Sequence, residues 1–381
     1  MTIQVGVFPQ SPADERVIDL RLGQPSPSLL PLEAIREAAS RRLVGDPLVL
    51  QYGAAQGYRA FREALAAFIA REEGREVDPD QLMLTAGTSL ALSLVADQLA
   101  RPGQAIASED PTYFLAKGIF DTHALEVVGI PVDEAGIDVD VLEQRLAAGL
   151  RPAFVYVIPA FQNPTGVVLT AARAERLIEL AEQHDFVVVA DEPYPMLHYA
   201  DVRPQSLVAR DRGRGRVLSL GSFSKILAPG LRLGWIEGES PLLARLLDHG
   251  VHRSGGALNP VMASVVHGTL ESGFLHEHVA RLRQTLGERA AALADAVTRR
   301  LPGTRASEPL GGYFLWLALP ERRDQEELLR RARNAGVGFA PGPRCAIDRD
   351  LSQFLRLSFA FYEPTELEEA VARLAGVLAT G

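Results

Sequence analysis

Short apolar runs alternate with longer amphipathic stretches through most of the chain, and this alternation predicts the architecture. From residue 81 the runs LMLT, QAIAS, ALEVVGI, AFVYVI, FVVVA, RVLSL and LGWI read as seven strands, most of them too apolar to have a wet face. Buried strands separated by helical segments predict an α/β unit around a parallel or mostly parallel sheet. Upstream, Ile18, Leu20 and Leu22 alternate as in a short strand that ends at Gly23 and a Pro-rich turn. Residues 31–42 read as a helix, and a loop with Tyr52, Gly53 and Gly57 precedes a helix bearing Phe61, Leu65, Phe68 and Ile69. Past Trp235 come a helix at 242–249, a loop at 252–260 and a helical run at 274–301 long enough to bridge two domains. The last hundred residues alternate again: GGYFLWLAL, a helix at 325–335, VGFAPG, FLRLSFAF and a closing helix at 364–378.

Composition sets the limits. A chain of 381 residues, 47% of them hydrophobic, can bury a large core, and at ~100–200 residues per domain it is expected to hold two. The single Cys345 excludes an internal disulfide and fits a reducing compartment. The opening residues 1–16 lack the basic start and apolar run of a signal peptide, and no apolar stretch reaches the ~18 residues of a membrane span. A cytoplasmic location is therefore expected. The net charge of −9 argues against a nucleic-acid partner, and Arg pairs such as Arg41–Arg42 and Arg299–Arg300 read as solvated helix faces.

One residue type is conspicuously scarce. Of the 39 Lys and Arg residues only Lys117 and Lys225 are lysine, so a retained lysine marks a place where a guanidinium will not serve, unless it is a leftover on the surface. Arg stays charged at any accessible pH, whereas a desolvated Lys can lose its proton and form an imine. Lys225 lies in GSFSKILAPGLRLGW, with Ser222 and Ser224 before it and Gly230 and Arg232 after it. Hydroxyls and an Arg suit a phosphate, and an imine-forming lysine beside a phosphate points to pyridoxal phosphate.

Polar residues at the carboxyl ends of the predicted strands extend the pattern, since open α/β sheets bind ligands there. AGTS follows LMLT, so Gly87, Thr88 and Ser89 open a helix whose N-terminus can hold an anion. Tyr113 follows QAIAS, as a packing residue or against a ring. Asn163, in FQNPTG, either meets a ligand atom or closes an Asx-turn. Asp191 ends a buried strand and calls for a cation: a protonated pyridine nitrogen, an Arg, or a helix cap in its place. Arg356 lies among Phe354, Leu355, Leu357 and Phe359, so it is either paired with an acidic side chain or awaits an anionic ligand.

The ordered set AGTS, EDPTY, FQNPTG, ADEPY, SFSKILAPGLRLGW and LRLSF resembles the class I/II aminotransferases, fold-type I pyridoxal-phosphate enzymes. The wording is closest to the branch with 2-aminoadipate and kynurenine aminotransferases and the aminotransferase-like half of MocR-type regulators. The resemblance implies a three-layer α/β/α fold with a mostly parallel seven-stranded sheet and a smaller α+β domain. It divides the chain into an arm with part of the small domain at 1–44, a large cofactor-binding domain at 45–275 and a small domain at 276–381. Lys225 would be the Schiff-base lysine, Asp191 the partner of the pyridine nitrogen, Asn163 and Tyr194 the contacts of the phenolic oxygen, and Tyr113 the ring-face residue. Gly87, Thr88, Ser89, Ser222, Ser224 and Arg232 would hold the phosphate, with Tyr52 reaching the neighbouring subunit of a homodimer. Arg356, Asn163 and Gly23 would take the substrate α-carboxylate, and no metal is expected.

The resemblance implies amino-group transfer between an L-amino acid and a 2-oxo acid by a ping-pong route. A lyase or a cyclising or C–C bond-forming enzyme on the same scaffold is the alternative, and a ligand-sensing module a remoter one. The roughly twenty residues before LGQPSP are too few for a winged helix. The family carries Gln in the turn where this chain has Ser89 and Leu90. Arg21, His252, Arg253 and Asn259 are candidates for the side-chain pocket.

Overall fold

The computed structural model describes residues 16–44 and 47–379. Residues 1–15, which bear on the expectation of no signal peptide and with which the expected arm begins, lie outside the described residues. The strands, in chain order, are β1 (Ile18–Asp19), β2 (Leu82–Thr85), β3 (Ala105–Asp110), β4 (Glu126–Asp133), β5 (Gly136–Ile137), β6 (Phe154–Val157), β7 (Val187–Asp191), β8 (Val217–Ser222), β9 (Gly234–Gly238), β10 (Arg305–Ala306), β11 (Phe314–Ala318), β12 (Val337–Gly338), β13 (Ala340–Pro341) and β14 (Phe354–Ser358).

β2 to β9 form one sheet in the order β2-β9-β8-β7-β6-β3-β4-β5. All seven expected strands are present. An eighth, the two-residue β5, folds back antiparallel on β4, and β9 runs antiparallel to both its neighbours; the rest of the sheet is parallel. The apolar runs sit where strands need two covered faces. Along β7, Val187 and Val189 enter the core under helices Thr88–Leu99, Phe114–Thr122 and Ser240–Leu247, while Val188 and Ala190 enter the core under helices Val139–Ala147 and Ala171–His184. Each strand residue thus meets a helix on its own side, which makes three layers.

The smaller sheet, β10-β11-β14-β13, is antiparallel and packs against helices Phe274–Arg300 and Pro364–Ala379. β10 was not legible in the sequence, because its two residues, Arg305 and Ala306, are exposed and carry no apolar alternation. Leu20 and Leu22 are buried in this second core, and β1 pairs parallel with β12, so the N-terminal segment is stitched to the C-terminal unit. The expected loop at 252–260 starts inside a short helix, Gly250–Gly255. Among the described residues no helix is long and apolar enough to cross a membrane.

Candidate active site

The parallel strands finish at a common edge, and β2, β3, β6, β7 and β8 each deliver a functional residue there. β7 ends on Asp191 and β8 on Ser222, after which one helical turn, Phe223–Ile226, carries Lys225. Gly87 follows β2, Tyr113 follows β3 and Asn163 follows β6. β9 runs the other way, so its entry returns to the same edge with Arg232: Gly234 is in register with both Thr85 and Ser222.

These loops build an anion cup. Gly87 has φ +87°, and a Cβ there would stand 2.7 Å from Arg232 Nη2, so the guanidinium lies against the N-terminus of helix Thr88–Leu99. Arg232 Nη1 is 3.5 Å from Ser224 Oγ, and Ser222 Oγ accepts from the Ser224 N–H at 3.1 Å. Thr88 is half-buried and Ser89 exposed on the first helical turn. A guanidinium, hydroxyls and free helix N–H groups around one space suit a phosphate.

Asp191, at the end of β7, is an incomplete pair. Oδ2 accepts from the Tyr156 hydroxyl at 2.8 Å, while Oδ1 is buried and has no partner. Burial pushes this carboxyl up to about 6, against the Tyr156 hydrogen bond and the Lys225 charge. Leaving a buried acceptor unmade costs about 1–3 kcal/mol, more for a charged one, which a cationic N–H at Oδ1 would remove. Lys225 Nζ donates to the Gly23 carbonyl at 2.6 Å and sits 5.4 Å from the Tyr313 ring centroid. Burial, then the Arg356 charge, brings its amine down to about 8, with Asp191 opposing. The Tyr313 hydroxyl holds the Lys225 carbonyl at 3.0 Å.

Arg356 joins three parts of the chain. It lies on β14, opposite Trp316 and Ala340; Nη1 donates to Asn163 Oδ1 at 2.9 Å and Nη2 to the Arg21 carbonyl at 2.9 Å. Its plane is packed by the Phe314 ring at 4.0 Å and the Phe114 ring at 5.4 Å, and its buried Nε has no partner. Of the two alternatives left by the sequence, the acidic side chain is missing among the described residues: both acceptors are neutral. Asn163 is aimed by Gln162, whose Nε2 donates to Pro111 O at 2.7 Å and Glu109 Oε2 at 3.1 Å and whose Oε1 accepts from the Thr165 N–H at 2.9 Å. Burial pushes Glu109 up to about 8.

The remaining expected residues divide. Tyr194 is buried, its ring 5.3 Å from Tyr313, and burial raises its hydroxyl well above the ordinary value; Tyr113 is pushed up to about 12, by burial and then by Asp191. Tyr52 is 85% exposed. Three of the pocket candidates are engaged elsewhere. Arg21 pairs with Asp19 through Nε at 2.7 Å, the exposed Arg253 pairs with Asp248, and the Asn259 amide donates to the carbonyls of Leu231 at 2.9 Å and Arg232 at 2.6 Å, fixing the turn that aims Arg232. His252 is buried with Nδ1 3.3 Å from the Gly256 carbonyl. Tyr156, Tyr313, Phe114 and Phe314 were read only as strand or helix residues; the phenol inside the apolar run AFVYVI was the one available signal.

An unpartnered buried carboxylate oxygen, a desolvated lysine and an anion cup at one sheet edge fit pyridoxal phosphate, and together with the fold they define a fold-type I pyridoxal-phosphate enzyme. The family model for aminotransferase class I and II matches residues 15–374. An aromatic-amino-acid aminotransferase of Thermococcus litoralis is 35% identical over 94% of this chain and 87% of its own length. A kynurenine aminotransferase of Pyrococcus horikoshii superposes with a TM-score of 0.88 at 31% identity, over 96% of this chain and 91% of that one. The α-aminoadipate aminotransferase of Thermus thermophilus, solved with N-(5'-phosphopyridoxyl)-L-leucine, superposes at 0.86 with 33% identity, over 96% and 94%. The chain belongs to the class I and II aminotransferases: it is a pyridoxal-phosphate-dependent enzyme that transfers an amino group between an amino acid and a 2-oxo acid.

Proposed function

We propose that Lys225 is both the covalent anchor of the cofactor and the group that moves the substrate proton, and that Arg356 holds the substrate α-carboxylate. The observation that carries this reading is Arg356: a buried guanidinium with only neutral acceptors and a free Nε, held one hydrogen bond from Asn163. Bound against Asp191, pyridoxal phosphate supplies an electron sink for the pair left at the substrate Cα.

The chain's residues do the rest. Arg356 and Asn163 orient the α-carboxylate, which places the Cα–H toward the Lys225 side of the site. Lys225 Nζ, brought near neutrality by burial, takes that proton and gives it back on the second half-reaction. Asp191 Oδ1, unpartnered, would hold the cofactor's ring N–H, and the Tyr156 hydroxyl fixes the other oxygen. Thr88, Ser89, Ser222, Ser224 and Arg232 anchor the phosphate. Phe114 and Phe314 keep water from the Arg356 cation, so its pairing with a carboxylate is stronger than in bulk.

We further read the chain as an arm to residue 44, a large unit at 45–275 and a small one at 276–381, working as a cytoplasmic homodimer on amino acids and 2-oxo acids. The eight-stranded sheet, whose strands lie within 82–238, and the four-stranded sheet, whose strands lie within 305–358, support the division. Leu32, Val44, Leu48, Leu50 and Tyr52, exposed and close together in the sequence, support a second copy covering this segment. The test is a donor and acceptor panel with Lys225→Ala and Arg356→Gln beside the wild type. Lys225→Ala abolishes turnover, Arg356→Gln raises KM for every amino acid, and a wild type inactive with all donors overturns the reading.

A further inference from the structure

Asn163 meets Arg356 from a strained turn. Asn163 follows β6 of the large sheet and Arg356 lies on β14 of the small one, so the 2.9 Å hydrogen bond between them joins the two sheets' units. Phe161, two residues earlier, has φ +51°, a left-handed conformation that a bulky side chain seldom adopts. Phe161 is buried against two glycines: a Cβ at Gly311 would stand 2.3 Å from Phe161 Cζ, and one at Gly312 2.8 Å from Phe161 Cβ. A backbone of this kind persists only where its surroundings over-determine it.

Gln162 is the point at which the turn is held. Its main-chain N–H donates to the Val167 carbonyl at 2.9 Å and its carbonyl accepts from the Gly166 N–H at 2.6 Å, which closes the turn on itself. Its side-chain amide has every position filled. Two acceptors, Pro111 O and Glu109 Oε2, face Nε2, and two donors, the Thr165 N–H at 2.9 Å and the Thr165 hydroxyl at 2.7 Å, face Oε1. A reversed amide would set N–H against N–H, so only one orientation fits. Glu109, 1% exposed near the end of β3, supplies the side-chain acceptor of this set. The same Oε2 takes the N–H of Ile158, the first residue past β6, at 2.9 Å. One carboxyl oxygen thus fastens both the exit of β6 and the amide that shapes the turn. Burial pushes this carboxyl up to about 8, with the two hydrogen bonds opposing and the Asp191 charge adding to it. At neutral pH Glu109 is therefore mostly uncharged and works as an acceptor, not as a charge.

We propose that Glu109 is a positioning residue for substrate binding: through Gln162 it holds the turn that presents Asn163 to Arg356 and to the substrate carboxylate. The inference rests on Arg356 taking the α-carboxylate. Glu109 makes no hydrogen bond to Asn163 or Arg356 among the described residues, so it acts on them through the turn. Without its acceptor two buried N–H groups lose a partner, and the Phe161 backbone relaxes toward an ordinary conformation, carrying Asn163 away from Arg356.

The test is a double-mutant cycle on the holoenzyme, read as the affinity for valerate by calorimetry. Glu109→Met keeps the volume and removes the acceptor; the dissociation constant is expected to rise roughly tenfold, as for Asn163→Ala. In the Asn163→Ala background the same change adds less than about twofold, because the turn then has no amide to present. Glu109→Gln keeps an acceptor for both N–H groups and stays within about threefold of wild type. Gln162→Met removes the other end of the bond and runs the same cycle if Glu109→Met does not fold. Losses that multiply in the double variant, an affinity unmoved by Glu109→Met, or a Glu109→Gln protein as weak as Glu109→Met overturns the proposal. Arg356→Gln is the separate control: if it binds valerate as tightly as the wild type does, the underlying reading of Arg356 fails instead.

Discussion

The Tyr156 hydroxyl donates to Asp191 Oδ2 at 2.8 Å and leaves Oδ1 buried and unpartnered. The two residues lie on neighbouring parallel strands, β6 and β7, so the sheet fixes their separation. The donor favours the ionised carboxylate, while burial favours the protonated one, and the balance stands at about 6. Tyr156→Phe removes the donor, so the Asp191 pKa rises and the acid limb of the kcat profile moves to higher pH. A hydrogen bond to a charged group is worth about 1.5–3 kcal/mol, which sets the expected loss in kcat at roughly tenfold or more at neutral pH. An unchanged acid limb would show that Tyr156 serves packing alone.

Lys225 offers a direct reading of desolvation. Its amine is brought down to about 8 by burial, and after Lys117→Arg it is the only lysine left in the chain. The neutral amine is the nucleophile, so labelling of the cofactor-free Lys117→Arg protein by an amine-directed reagent should rise with pH around a midpoint near 8. Arg356→Gln removes a neighbouring cation, and the midpoint then moves upward, because less repulsion opposes the protonated form. Mass spectrometry of the peptide containing Lys225 gives the extent of modification. A midpoint unchanged from that of a free lysine would remove the basis for a proton carrier at this position.

Much of this was legible in the sequence, and the residues that were not share a reason. Strand placement was recovered because burial on both faces writes a continuous apolar run, as in FVVVA, whereas β5 and β10 are too short to write any period. Lys225, Asp191 and Arg356 stood out because a charged or reactive group beside a buried strand has few bland explanations. Arg21 and Asn259 looked equally available in sequence, yet Arg21 is neutralised by Asp19, two residues away, and Asn259 holds the backbone at Arg232. A side chain's type is written in the sequence; whether its charge is already satisfied depends on neighbours that only the fold supplies.

Gly87 is constrained twice, by a φ of +87° and by Arg232 Nη2 standing 2.7 Å from where a Cβ would be. Gly87→Ala therefore strains the turn and moves the guanidinium out of the anion cup. The expected cost is about 1–3 kcal/mol of stability from the backbone, and a weakening of cofactor binding of roughly tenfold from the displaced Arg232. Thermal unfolding and equilibrium dialysis against pyridoxal phosphate separate the two effects. Arg232→Lys, which leaves the turn intact, should lose cofactor affinity with little change in stability. If Gly87→Ala lowers stability and leaves affinity alone, the cup does not include Arg232.

Tyr52 is 85% exposed on a segment that also exposes Leu48 and Leu50, so in a single chain it has no structural task. A second copy covering this face would bring Tyr52 to the partner's phosphate, and the site would then be shared. Hybrid dimers decide between a shared and a self-contained site. Lys225→Ala and Tyr52→Ala proteins are each expected to be poorly active alone. If Tyr52 serves the opposite subunit, a hybrid has one site with both defects and one with neither; random reassortment then restores roughly a quarter of wild-type activity. If Tyr52 serves its own subunit, every site in the hybrid keeps one defect and mixing restores nothing. Leu48→Asp with Leu50→Asp supplies the physical control: if a second copy covers these side chains, two carboxylates buried there should leave a monomer in sedimentation and remove the recovery.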